Sequence, residues 1–414
     1  MVHGGSCLAR NDAGETLLVD AALPDELVEA EVVGRRAGVT RARVLRVLEA
    51  SPDRVQPPCP YVGTCGGCDL QHVAYPRQLE LKREVVSDAL RRQGVRVDTP
   101  IVIHGMADPW RYRVRGEFHV VRDREERSRP ITGLGFNRVR SWHPVAVDDC
   151  LIHSTTITDA LPALLDVAQR GGDGRLNLFH LTVGEDGREL LVAPKPPSAL
   201  DPRVLDAAAM ALDETQARWA VGGTMLRWRG HRYKVTARSF IQVNHAQMDV
   251  LYQCVLDGLG DIRGTRVVDA YAGIGVLSVE LAIRVGKGGA VVCIEEAYPA
   301  VHLGQLNAQL NDVGETVRYE ARSVEEALPD IAAAGPVDAL VLDPPRAGCA
   351  GRVTGWLALK GPGRIVYVSC DPATLARDLH ILVASGPYAV HQLDLVDLFP
   401  QTHHIECVAV LARG

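Results

Sequence analysis

Ile365-Val366-Tyr367-Val368-Ser369-Cys370-Asp371-Pro372-Ala373-Thr374 is the stretch on which the reading of this chain turns. Four apolar residues of strand character lead into a cysteine, with a turn-forming Asp-Pro behind it. The carboxyl end of a buried strand is where an open α/β sheet meets its ligand. Similar apolar runs occur at 266–269, 290–295 and 339–343, and they alternate with helix-like runs at 248–259, 276–285 and 299–311. That alternation predicts an α/β fold with a doubly wound, mainly parallel sheet. The last run, 406–412, follows a strand-like run at 390–398 with no helix between them, which predicts a hairpin and an antiparallel edge strand.

Working outward, Val267-Val268-Asp269 leads into Tyr271-Ala272-Gly273-Ile274-Gly275, a strand followed by a glycine turn and a helix. Glycines admit positive φ and let a ligand approach the backbone. The six-residue dinucleotide pattern is not met, because Ser278 stands at its third glycine. One strand later, Glu295 ends its run and is placed to accept from two ribose hydroxyls. Taken alone, this is as compatible with an ordinary strand–helix turn as with a cofactor site. With the later motifs it favours S-adenosylmethionine over a nicotinamide cofactor.

The reacting groups suggest a chemistry. Cys370 offers a thiolate nucleophile. Carbon 6 of uracil is electrophilic, and thiolate addition there makes carbon 5 a nucleophile able to take a methyl group from a sulfonium. The carbon 5 proton must then leave to a base such as Glu406. Asp343, in Asp343-Pro344-Pro345-Arg346, closes another strand at the same sheet edge, 27 residues before Cys370. His403 and His404 read as structural or hydrogen-bonding groups rather than metal ligands.

Cys59, Cys65 and Cys68 have the spacing C-x5-C-G-G-C, with Cys150 as a distant fourth candidate. Three clustered thiols and a remote fourth suit an iron–sulfur cluster, with structural zinc the second choice.

Composition sets the frame. The 414 residues allow two or three domains, and the 47% hydrophobic and 23% charged content is that of a globular protein. Net charge is −6, which argues against a uniformly basic nucleic-acid binder but leaves room for local basic faces. Arg35, Arg36, Arg41, Arg43 and Arg46 form one arginine cluster; Arg111, Arg113, Arg115, Arg138 and Arg140 form another. No apolar run reaches membrane-span length and no leader is visible, so the expected location is cytoplasmic, with no membrane partner. Residues 1–55 read as a small β-barrel, 56–235 as a central α+β domain with a helix near 76–92, and 236–414 as the α/β domain.

Three motifs together resemble the RNA uracil-5 methyltransferase family. They are Asp343-Pro-Pro-Arg-Ala-Gly348, then Ile365 to Thr374 after a gap of 16 residues, then Asp397-Leu-Phe-Pro-Gln-Thr-His-His404-Ile-Glu406. The resemblance implies a class I methyltransferase domain using S-adenosylmethionine, with Cys370 as nucleophile and Glu406 as base. Gln242 in Phe240-Ile-Gln242-Val-Asn244, Tyr271, Glu295 and Asp343 fall on cofactor-binding positions. Cys59, Cys65, Cys68 and Cys150 match the ligands of a 4Fe-4S cluster in the branch best known from ribosomal RNA enzymes. The opening residues resemble an RNA-binding TRAM barrel; the chain starts where its first strand should already have run, so either the true start lies upstream or the barrel is incomplete. Asp371 and Val276 depart from the family pattern: Asn is usual at the first, and some relatives carry a polar cofactor contact at the second. The expected substrate is a specific uridine in ribosomal RNA rather than transfer RNA, and the expected state a monomer without an obligate protein partner. RNA cytosine-5 methylation, and a non-catalytic RNA-binding iron–sulfur protein, stand as alternatives.

Overall fold

The computed structural model describes residues 1–36, 38–123, 125–126, 128–211 and 218–414. Its largest sheet has eight strands, in the order Val317–Glu320, Ala290–Ile294, Arg266–Ala270, Ala339–Leu342, Arg364–Ser369, Glu406–Arg413, Tyr388–Val396 and Val102–His104. The first five are mutually parallel, and Glu406–Arg413 runs antiparallel to both of its neighbours. All four residues of Ala339–Leu342 are buried, as befits a strand covered by helices on both faces.

The hairpin and antiparallel pairing are present, but the position expected for the final strand needs correction. Glu406–Arg413 lies inside the sheet, between Arg364–Ser369 and Tyr388–Val396. The edge is taken by Val102–His104, which pairs in parallel with Asp394, Leu395 and Val396. That short strand comes from far upstream, so no local pattern signals it.

The helix Tyr75–Arg92 also joins this domain. It buries Gln78, Leu81, Lys82, Val85, Val86 and Leu90, an i, i+3, i+4 stripe. Val85, Val86 and Leu90 share a core with Ile365, Tyr367 and Leu379. The hairpin Thr224–Trp228 and His231–Val235 packs Leu226, Trp228, Tyr233 and Val235 against Ile274 and Val276. Both elements cross the boundary read at 235/236.

The central region holds a six-stranded sheet, ordered Arg218–Ala220, Glu189–Lys195, Leu178–Val183, Arg115–Arg122, Ile131–Asn137 and Pro144–Ala146. The helix Leu161–Gly171 packs Leu164, Val167 and Ala168 onto it. At the amino end, Cys7–Arg10, Thr16–Asp20, Val39–Glu49 and Leu27–Arg36 form a four-stranded sheet over Cys7, Leu17, Val19, Ala22 and Ala42. Among the described residues its outer strands, Cys7–Arg10 and Leu27–Arg36, do not pair, so the sheet stays open. Arg41, Arg43 and Arg46 face Asp20, Glu31 and Glu29, so part of its positive charge is balanced locally. No helix among the described residues is long and apolar enough to cross a membrane.

Candidate active site

Tyr271, Glu295, Asp343 and Cys370 are each the first residue after a parallel strand, and Glu406 opens the antiparallel one. Parallel strands ending at one edge bring these five side chains together from positions spread over 136 residues of sequence. All five, with Gln242, line one cleft of about 1100 Å³.

The cofactor half is shaped by backbone. Tyr271 has φ +67°, a left-handed conformation uncommon for a non-glycine residue and often kept at functional turns. Gly275 has φ +80° and starts the helix Val276–Val285, and a Cβ there would run into the Tyr319 hydroxyl. Glu295 accepts from the Gly273 N–H (3.0 Å) and the Ala297 N–H (2.8 Å), tying the glycine turn to the next loop. Ser278 donates to Asp269 (2.6 Å), giving the residue at the missing glycine a role of its own. Gln242 is buried just ahead of the helix His245–Leu259, whose N-cap Asn244 accepts from Gln247.

The electrostatics favour a cationic ligand. Burial first, and the nearby Asp269 second, push Asp343 up to about 7. Burial, opposed by the Ser278 hydrogen bond and helped by Glu295, pushes Asp269 up to about 6. Glu406 is raised well above the usual carboxylate range by burial and by Asp343, with Arg346 pulling the other way. Buried acids crowding one another in a cleft are relieved by a positive ligand, and S-adenosylmethionine carries both a sulfonium and an ammonium. The glycine turn, the acid one strand later and the cleft volume fit that cofactor.

Cys370 and Glu406 face each other. Ser369 pairs with Cys407 across adjacent antiparallel strands, so the next pair in register is Cys370 with Glu406. Opposite residues on such strands sit about 5 Å apart at Cα. Burial raises the Cys370 thiol to about 11, the carboxylates of Glu406 and Asp343 add to this, and Arg346 counters it. Asp371 accepts from the Ala373 and Thr374 N–H groups (both 2.9 Å). It caps the helix Pro372–Ala384, as an asparagine oxygen would, so the departure from the family residue preserves the turn.

Sequence reasoning quoted Arg346 only as part of a motif, yet it is the cation that opposes both raised groups. It also lies 3.4 Å from the His404 ring, which burial first, and then the neighbouring His403 and Arg346, push down to about 3. Phe240 and Phe399 line the cleft as well, and Phe240 is 73% exposed. The available signal was that each sits inside a quoted motif, Phe240 two residues before Gln242 and Phe399 seven before Glu406.

The four cysteines also converge. Cys59, Cys65, Cys68 and Cys150, all free, line a second cavity of about 50 Å³ walled by Tyr61, Phe136, Val147 and Ile152. Burial raises Cys65, lifts Cys68 to about 12 and Cys150 to about 11, with the neighbouring thiols adding to each. A Cβ on Gly66 would press on the Asn137 and Arg138 carbonyls at 3.2 and 3.3 Å, which accounts for a glycine in that tight wrap. The buried His153 places Nδ1 3.1 Å from the Cys150 sulfur, while its Nε2 is buried without a hydrogen-bond partner. Four convergent thiols in an apolar pocket fit a thiolate-bound cluster. Elsewhere, His104, Cys254 and Asp394 bring three donor atoms within 4.8 Å of one another. The 2.8 Å His104–Asp394 hydrogen bond within that group joins the added edge strand to the sheet.

Fold and cleft together define a class I, S-adenosylmethionine-dependent methyltransferase. The model of the tRNA (uracil-5-)-methyltransferase family matches residues 224–414. An uncharacterised RNA methyltransferase of Gloeobacter violaceus is 34% identical, covering 100% of this chain and 95% of the relative. The 23S rRNA (uracil(1939)-C(5))-methyltransferase RlmD of Shewanella amazonensis is 33% identical, over 99% and 93%. A crystal structure of the Pyrococcus abyssi tRNA (uracil-54, C5)-methyltransferase with S-adenosyl-L-homocysteine shares the fold. Its TM-score is 0.74 at 24% identity, over 98% of this chain and 100% of that one. The chain belongs to the RNA (uracil-5-)-methyltransferase family. It is an S-adenosylmethionine-dependent enzyme that methylates RNA at carbon 5 of uracil, which sets aside the cytosine-5 and non-catalytic readings.

Proposed function

We propose that this enzyme methylates carbon 5 of one specific uridine, in ribosomal rather than transfer RNA, through a covalent adduct on Cys370. The observation that carries the covalent route is that Cys370 and Glu406 line one cleft, just past the Ser369–Cys407 pair of adjacent antiparallel strands, with the Glu406 carboxylate acting on the Cys370 thiol. Support for ribosomal RNA comes from the relative named as a 23S rRNA enzyme and from the convergent cysteines.

The Cys370 sulfur adds to carbon 6, and the carbon 5–carbon 6 π electrons move toward carbon 5. S-adenosylmethionine, when bound, would supply the methyl group to which carbon 5 bonds as the S–CH3 bond breaks and leaves a neutral thioether, and until then its positive charge would favour the ionised thiol and carboxylate nearby. Glu406 then takes the carbon 5 proton; the electrons left behind restore the double bond and expel the Cys370 thiolate. Arg346 stabilises the thiolate before addition and after release. Gln242, Tyr271, Glu295 and Asp343 hold the cofactor, with Asp343 directed to its positive charge. The target base is splayed out of its RNA to reach the cleft. Cys59, Cys65, Cys68 and Cys150 hold a 4Fe-4S cluster that braces the RNA-facing half of the protein. In this reading residues 1–55 bind RNA, 56–235 carry the cluster and 236–414 catalyse, in a cytoplasmic monomer.

The test is Cys370→Ala assayed on isolated ribosomal and transfer RNA. Turnover is expected to vanish while S-adenosylmethionine affinity by calorimetry stays within about twofold, a change under roughly 0.5 kcal/mol. Parent enzyme is expected to form a denaturation-resistant adduct with 5-fluorouridine RNA. Retained methylation by the variant rejects the covalent route, and 5-methyluridine appearing only in transfer RNA rejects the substrate assignment.

A further inference from the structure

We propose that Asp69, the residue after Cys68, is a positioning residue that fastens the loop carrying Phe399 and His404, and through it Glu406, to the four-cysteine segment. The inference rests on the reading of Glu406 as the base.

The loop between Val396 and Glu406 has no regular structure, yet its backbone is held from outside at four successive residues. The Leu398 carbonyl accepts from Asn244 Nδ2 at 3.2 Å, and the Phe399 carbonyl from Lys82 Nζ at 3.1 Å. The Pro400 carbonyl accepts from the Tyr112 hydroxyl at 2.9 Å. The Gln401 carbonyl accepts from the N–H groups of both Asp69 and Leu70, at 3.1 and 3.0 Å. Gln401 itself has φ +69°, and the Gln78 side chain holds it by accepting from its N–H (3.0 Å) and donating to its side-chain oxygen (2.9 Å). The Asp69 carboxylate then reaches His403 Nδ1 at 2.6 Å. Gly5 packs against both partners, where a Cβ would come within 3.1 Å of His403 Cβ and 3.5 Å of Asp69 Cβ.

The geometry is short-range throughout. Cys68 lines the four-thiol cavity, and Asp69 is one peptide away, about 3.8 Å at Cα. His403 is followed by His404, which lines the cleft beside Arg346, and Glu406 comes two residues later. Ordering Cys68 in a cluster therefore fixes the backbone that grips Gln401 and the carboxylate that grips His403. Losing the grip leaves the cofactor turn and the Cys370 strand end intact, because neither touches Asp69. The step that suffers is the proton removal assigned to Glu406, while addition by Cys370 is spared.

The test compares full-length parent, Asp69→Ala, Asp69→Asn and Cys68→Ser. In Asp69→Ala, amide hydrogen exchange across residues 398–404 is expected to quicken by at least about tenfold while exchange at 266–275 is unchanged. The adduct with 5-fluorouridine RNA, which needs no carbon 5 proton removed, is expected to form at the parent rate. On uridine RNA kcat is expected to fall about tenfold with KM unchanged, and the covalent intermediate to accumulate. Asp69→Asn is expected to recover most of kcat, because its amide oxygen still accepts from His403. Cys68→Ser is expected to quicken exchange in the same loop. Unchanged exchange at 398–404 in both Asp69→Ala and Cys68→Ser overturns the proposal. So does equal slowing on both RNAs, which signals general damage. If Glu406→Gln turns over normally, the base assignment fails, while the exchange result still decides the role of Asp69.

Discussion

The protein keeps sulfur in two settings that differ less in residue type than in what surrounds it. Cys370 and the group Cys59, Cys65, Cys68 and Cys150 are all partly shielded, and burial raises Cys370, Cys65, Cys68 and Cys150 alike. The difference lies in the neighbours. Cys370 stands at the end of a rigid strand, on a wide cleft, with Arg346 at hand to draw its thiolate out. The other four, three from the segment 59–68 and Cys150 from a distant one, meet around a cavity of about 50 Å³, with aromatic and aliphatic walls and other thiols for company. A single sulfur beside a cation and an open cleft suits attack, and four facing one another suit ligation.

The largest effect that would break this contrast lies at Glu406. Glu406→Gln is expected to cut turnover by about 10²–10⁴-fold, the range for a lost general base, while adduct formation on 5-fluorouridine RNA persists. Gel shift under denaturing conditions reads both. Loss of the adduct as well would mean that the carboxylate also serves the attack.

Next in size is Cys150→Ser, expected to lower bound iron and cost on the order of 2–4 kcal/mol of stability, as removal of a structural metal ligand does. Iron content and thermal melting check it. Cys370→Ser is expected to leave both unchanged, which sharpens the division between the two settings.

A smaller effect concerns Asp343. Its folded pKa, about 7, lies above its unfolded value of 3.8, so folding favours the neutral acid. That contribution is complete below about pH 4 and is lost as pH rises through 7. Asp343→Asn is therefore expected to raise the melting temperature of cofactor-free protein at pH 8 by a few degrees, by clearly less at pH 5, and not at all below about pH 4. S-adenosylmethionine binding by the same variant is expected to weaken, measured by calorimetry.

The smallest is a rate. Iodoacetamide is expected to alkylate Cys370 with an apparent pKa near 11, and Arg346→Ala to slow that alkylation a few-fold at pH 8, since the lost cation lowered the thiol. Cysteines holding a cluster are expected to resist the reagent until iron is chelated. Mass mapping of the labelled peptides separates the two groups.

Much of the catalytic sheet was legible because parallel strands buried on both faces read as short apolar runs. Val276–Val285 falls where periodicity put it, and Arg364–Ser369 covers the apolar run that leads into Cys370. Of the six cleft residues, Glu295, Asp343 and Cys370 were legible as residues closing strands, whereas Gln242 and the role of Tyr271 came from the family motifs alone. What stayed hidden was tertiary. Helix Tyr75–Arg92 has a clear amphipathic stripe, but nothing in it names the sheet it covers. Val102–His104 is three residues long and pairs across almost 300 positions. Residues 155–171 are split into the helices Thr155–Thr158 and Leu161–Gly171, with Pro162 in the first turn of the second. The tie between Asp69 and His403 joins residues 334 apart, each unremarkable in its own neighbourhood.

One consequence follows from the ion pair of Lys82 and Asp397, both side chains wholly out of solvent and 2.6 Å apart. A fragment starting at residue 224, where the family match begins, would strand the Asp397 charge in an apolar interior and strip Val102–His104 from its neighbour, baring the flank of Tyr388–Val396 to self-association. The catalytic half is thus expected to fold poorly without the upstream helix and strand. Anyone wishing to shorten this enzyme must carry the upstream helix along with it.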